Sequence, residues 1–274
     1  MTAPSPTPEH TPGLRTGAEV AGILAPIAAA VQPHEAAPLV MPATILAVAG
    51  MKGRSYAPDM GDVFDLVDRM NTANPDPLIR FVAHECNDGE FIIENLAGLE
   101  RTTSLSKLPG ILRFDGRLGF DAYGKFRDEQ LASFRDAVAA GAYPWNTDPL
   151  ILEKGIAHGY PDQAILDRER HTTTQSQSLA LAMQLTEIEQ EDEGSSLVLL
   201  PKQDYDEGGA DFWIRADHQN DPGVRAYINT ARAILREFAA TPFAKYYRED
   251  PRVQLVLEHR RIAQSIRRQL EGLA

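Results

Sequence analysis

Apolar side chains recur at two different spacings along this chain of 274 residues. Between 62 and 71, Val63, Phe64, Val67 and Met70 share one side of a 3.6-residue period, which predicts a helix with that side buried. LIRFVAHE (78–85) and FIIENL (91–96) are short dense apolar runs suited to strands. Asn87-Asp88-Gly89 between them is a strong signal for a hairpin turn, so residues 78–86 and 90–95 are expected to pair antiparallel. TILAVAG (44–50) reads as a buried strand and MKGRSYAPDMG (51–61) as loop. ILRF and LGF, joined around Asp115-Gly116, read as a second hairpin.

The rhythm then turns helical. FRDEQLASFRDAVAAG (126–141) places Phe126, Leu131, Phe134 and Val138 in rough helical register and ends at Gly141, a residue type common just past helix ends. PLILEKGIAH and PDQAILDRERH predict two short helices around Gly159-Tyr160, with Pro161 at a first helical position. QSQSLALAMQLTEIEQ predicts a third helix. LVLLPK and DFWIRAD predict a strand pair around the loop QDYDEGGA. Asp221-Pro222, Thr241-Pro242 and Pro251 each open a further helix. Near the start, 18–31 predicts a short apolar helix that Pro26 bends, and residues 1–17, rich in Pro, Thr and Gly, predict a disordered tail. The sum is an α+β fold: β-hairpins mainly in the first half, a helix-rich second half, and one globular domain over 18–274.

Composition narrows the function classes. A net charge of −12 works against binding to nucleic acid or to anionic lipid, so neither is an expected partner. The apolar region from Val20 to Met51 is broken by Pro26, Pro33, His34, Glu35, Pro38 and Pro42, too often for a span of about 20 apolar residues. The opening MTAPSPTPEH lacks the basic segment and apolar run of a secretion signal, and one cysteine permits no intrachain disulfide. The expected location is therefore cytoplasmic. Arginine outnumbers lysine 21 to 6, a usage that points to a GC-rich bacterial source.

Candidate chemistry is sparse. Cys86, with His84 two residues before it and Arg80 on the same strand face, is a candidate nucleophile beside a base. The plain alternative is a small buried cysteine near a hairpin end. His84 with Cys86, or Asp167 with His171 at i,i+4, would each give two metal ligands; neither gives three, and no metal site is expected. The loop DYDEGGADFWIR starts like a calcium loop, but its fifth position is Gly208 and its twelfth is Arg215. After the run 44–50, Lys52, Arg54 and Ser55 lie among glycines and form a candidate anion site that matches neither the P-loop nor the dinucleotide fingerprint.

Gly155, Gly159 and Ile165 have the spacing of a helix-turn-helix. Asp162, Asp167 and Glu169 on the second helix oppose binding to phosphates, and the turn with His158 and Tyr160 reads equally as the lining of a pocket. The leading expectation is an enzyme acting on a small molecule, with Cys86, His84, His158 and Tyr160 as candidate acid, base or nucleophilic groups. The alternative is a noncatalytic interaction or regulatory protein using its helical half as a binding surface. No motif names a reaction, a cofactor or an oligomeric state.

Overall fold

The computed structural model describes residues 13–58, 63–83, 90–143, 147–167, 197–200, 212–215, 218 and 220–258. Among them it is helix-rich with a small three-stranded antiparallel sheet, a mixed α and β architecture. No helix among the described residues is long and apolar enough to cross a membrane.

Helix α1 (Gly17–Ala29) begins at a reciprocal cap: the Glu19 backbone N–H donates to Thr16 Oγ1, and the Thr16 backbone N–H donates to Glu19. Val20, Leu24 and Ile27 form its buried stripe, and Pro26 lies within it. The stripe packs on α8 (Pro222–Ala239), an amphipathic helix that buries Val224, Ala231, Ile234, Leu235 and Phe238. The expected tail overreaches at this end. Leu14 is buried, the Arg15 backbone N–H donates to the Ala49 carbonyl at 2.9 Å, and the Arg15 side chain pairs with Asp76.

The run expected as a buried strand at 44–50 is instead helix α2 (Pro42–Val48), preceded by a 3-10 turn (Ala37–Val40). Thr44 through Ala49 are buried on all sides, so no polar position reveals a period, and Pro42 presets the first helical dihedral. In α3 (Val63–Ala73) the buried face is Val63, Leu66, Val67 and Met70. Phe64, expected inside, is 66% exposed because the helix is turned toward Leu66.

The three-stranded sheet has the order β1 (Arg54–Pro58), β3 (Glu90–Asn95), β2 (Ile79–Ala83). The expected antiparallel pairing of the two apolar runs is present, with Phe81 opposite Ile93 and Ala83 opposite Phe91. Its turn, with His84, Cys86 and Asn87-Asp88-Gly89, lies outside the described residues. β1 corrects the loop expected over 51–61: a polar strand is held by pairing with β3, Arg54 opposite Glu94 and Ser55 opposite Ile93. Strand alternation gives the sheet two faces. Ile79, Phe81, Phe91 and Ile93 enter the main core with α3, whereas Arg54, Tyr56, Arg80 and Glu94 fall on the other side.

Asn95 ends β3 and caps α4 (Leu96–Leu105). The second expected hairpin does not form. Phe114 is buried against Tyr123 and Leu96, its N–H donates to Thr103 Oγ1, and Asp115 caps a 3-10 turn (Gly116–Leu118) leading into α5 (Gly119–Ala139). Asp-Gly here opens a helix rather than a hairpin. α6 (Pro149–Ala157) follows, capped by Asp148, and α7 covers residues 162–167. β4 (Leu197–Leu200) and β5 (Phe212–Arg215) pair antiparallel as expected. α9 (Pro242–Glu249) and α10 (residues 251–258) come after α8. The helix expected at 175–190 and the acidic loop 203–210 lie outside the described residues. Among the described residues the three-stranded sheet lies in the first half, as expected, and is accompanied there by helices α1–α5.

Candidate functional site

Glu94 sits in the middle strand with an arginine on each neighbour. Arg80 Nε donates to its Oε2 at 2.7 Å, and Arg54 Nε stands 4.0 Å from its Oε1. The register explains this, because both arginines are cross-strand partners of Glu94. The row is covered by α5, whose Phe120 lies 4.4 Å from the Arg80 guanidinium carbon.

Beside this row, backbones approach closely through glycine. A Cβ on Gly98 of α4 would sit 2.2 Å from the Lys52 carbonyl oxygen. Gly159, in the turn after α6, has φ +70°, and a Cβ there would sit 2.4 Å from the Met51 carbonyl oxygen. The Gly53 N–H donates to the Ala157 carbonyl at 2.9 Å. Segment 51–53 is therefore clamped between α4 and the α6–α7 turn, and the turn's rings meet the bases that flank it. His158 stacks on Tyr160 with centroids 5.6 Å apart and lies 5.4 Å from the Tyr56 ring. Lys52 Nζ is 5.6 Å from the Tyr160 centroid, and the Arg54 guanidinium carbon is 5.5 Å from that of Tyr56. Lys52 is buried, while Arg54, Tyr56, His158 and Tyr160 keep partial exposure.

Burial, then the charges of Lys52 and Arg54, lower the His158 pKa from 6.5 to about 3. The unfolded chain then takes up a proton on this residue that the folded chain refuses. Stability is expected to fall as pH drops below 6.5 towards 3, and His158→Gln should flatten that part of the profile. Urea midpoints of both proteins between pH 7 and pH 4 check this; parallel profiles would count against a neutral His158.

A second set of charged groups lies on α5 and α6. Arg127 Nε is 3.2 Å from Glu153 Oε1, and Tyr123 is buried close enough to feel the charges of Glu153, Glu94, Arg54 and Arg127. Burial pushes the Glu153 carboxyl above its ordinary value, against the pull of Arg127, Arg54 and Lys154. Burial likewise pushes the Tyr123 phenol up, helped by Glu153 and Glu94.

Of the residues singled out from sequence, the structure brings together Lys52, Arg54, His158 and Tyr160, which came from two separate candidates. Ser55 is buried, across from Ile93, on the face of β1 opposite to that of Arg54. Cys86, His84 and His171 lie outside the described residues. Asp167 is buried and accepts from Gln163 Nε2 at 2.8 Å, with His218 Nδ1 at 2.9 Å. The helix-turn-helix spacing reflects packing: a Cβ on Gly155 would sit 2.7 Å from Ile165. Two of the acidic residues on that second helix are used internally, Asp162 on the Lys107 N–H and Asp167 on His218. No group of three His, Cys, Asp or Glu side chains among the described residues is placed to hold a metal ion.

Sequence reasoning missed Tyr56, Glu94, Tyr123, Arg127 and Glu153. For Glu94 a signal existed: an acidic residue inside a strand whose neighbours carry arginine invites a cross-strand pair, once β1 is seen as a strand. The chain matches no protein-family model, and neither the curated proteins nor the solved structures contain a significant match to it.

Proposed function

We propose that this protein is a cytoplasmic enzyme acting on a small anionic molecule, held at Lys52 and Arg54 against the rings of Tyr56, His158 and Tyr160. The observation that carries this reading is the meeting of two sets of residues, one chosen as an anion site and the other as acid–base groups. Lys52 and Arg54 supply the charge, and the rings supply a flat wall with partial access to solvent. His158 supplies a proton acceptor whose strength depends on occupancy. Burial is the first reason the imidazole is neutral; an anion beside Lys52 and Arg54 offsets the further part that their charges contribute, so binding raises its affinity for a proton.

The test is a thermal-shift screen of small phosphates and carboxylates, followed by calorimetry and by NMR of each stabilising compound for turnover. A ligand at a hundred times its Kd should stabilise the protein by about 2.7 kcal/mol. The effect should vanish in Lys52→Met and in Arg54→Gln variants that keep the wild-type circular dichroism. A screen in which no compound stabilises the wild type more than these variants would refute the reading.

A further inference from the structure

Glu94 is a buried carboxylate shared unequally by two arginines. Arg80 Nε donates to its Oε2 at 2.7 Å, whereas Arg54 Nε stands 4.0 Å from its Oε1, beyond hydrogen-bond reach. Arg54 Nε is buried there and makes no hydrogen bond among the described residues. The strand register sets both arginines opposite Glu94, so the difference lies in what holds each guanidinium. Phe120 of α5 lies 4.4 Å from the Arg80 guanidinium carbon and holds that cation beside Glu94. The Arg54 guanidinium carbon lies instead 5.5 Å from the centre of the Tyr56 ring, in the anion site.

The Glu94 side chain is 7% exposed and that of Arg54 12%, so water cannot fully serve either. A carboxylate buried to this degree needs a cation, and removing its partner is strongly destabilising unless another takes over. Arg80 meets that need, from a side chain that is 38% exposed on the far edge strand. Arg54 therefore keeps its charge for a ligand. Without Arg80, the cation left beside Glu94 is Arg54, and a closing movement of about 1 Å would bring the two into hydrogen-bond range. An anion would then have to compete with an internal carboxylate for the same guanidinium.

Resting on the anion-site reading above, we propose that Arg80 is a positioning residue for that site: by holding Glu94 it leaves Arg54 to the bound anion. Calorimetry on the full chain tests this with inorganic phosphate and malonate as probes. For whichever probe the wild type binds, Arg80→Met should weaken binding about tenfold, the scale of one charge-assisted hydrogen bond. Glu94→Gln, which cannot neutralise Arg54, should bind at least as tightly as wild type. The double variant should lie within about twofold of Glu94→Gln, because Arg80 has no task once the carboxylate is gone. A loss through structural damage would persist in the double variant, and so would a simple long-range attraction by Arg80; either result overturns the proposal. Should Arg80→Met fail to fold, Glu94→Gln decides, since binding weaker than wild type would mean that Glu94 supports Arg54 rather than competes for it. Binding unchanged in all three variants overturns the proposal and leaves the anion site standing. Binding of neither probe by the wild type removes both.

Discussion

Gly17→Ala is expected to lower the melting temperature by roughly 8–16 °C, a large effect for one methyl group. A Cβ at Gly17 would sit 2.1 Å from the Phe238 backbone nitrogen, 2.6 Å from the Ile234 carbonyl oxygen and 2.7 Å from the Glu237 carbonyl carbon. These are backbone atoms of α8, which no side-chain rotation can move aside. The two helices would have to separate, and the stripe of Leu24 and Ile27 would lose close contact with Ile234, Leu235 and Phe238. The expected cost exceeds about 4 kcal/mol, at the upper end for single substitutions. Gly22→Ala in the same helix is the control. A Cβ there meets nothing within 4 Å, and helix propensity favours alanine by up to about 1 kcal/mol. Calorimetric scans of both variants decide the matter, and a Gly17→Ala protein as stable as wild type would contradict the close helix contact.

Asn95→Ala should also be destabilising, by a smaller amount and for a different reason. The Asn95 side chain is fully buried and serves two elements: Nδ2 donates to the Ala47 carbonyl at 2.7 Å, and Oδ1 accepts from the Gly98 N–H at 3.1 Å. Alanine removes a helix cap, worth about 1 kcal/mol, and one of the hydrogen bonds on the Ala47 carbonyl, which keeps the Gly50 N–H at 3.0 Å; that loss costs about 1 kcal/mol more. Asn95→Asp separates the two roles. It keeps the acceptor for Gly98 but sets a carboxylate oxygen against the Ala47 carbonyl, so it should rescue little. Urea unfolding gives the comparison; an Asp variant close to wild type would show that the contact with α2 is dispensable.

Asn95 also illustrates how much of this fold the sequence makes legible. The apolar runs around it announce two strands, because a hairpin signal and dense β-formers are local properties, and the described parts of those strands do pair. α8 was equally readable, since Asp221-Pro222 marks its start and its apolar positions keep the helical period to Phe238. α2 was not. A seven-residue helix whose last five residues are all buried has no polar face to display a period. β1 stayed hidden for the opposite reason: Arg54 and Tyr56 look like loop residues until Glu94 lies across from them. The same holds for the site. Lys52, Arg54, His158 and Tyr160 stand out as unusual residues near glycines, whereas nothing local sets Glu153 apart from other charges on short helices. Only the packing of α5 on α6 shows that it is buried beside Arg127.

The packing of α1 on α8 also bears on how the chain is made. The Gly17 N–H donates to Glu237 Oε2 across 220 positions of sequence, so the two helices leave the ribosome far apart in time. At about 5–20 residues per second, roughly 11–44 s pass between them. Throughout that interval Val20, Leu24 and Ile27 are already synthesised while their partner helix is not. This layer of the core therefore closes late in synthesis, and the waiting apolar stripe is a place for a chaperone to hold the nascent chain.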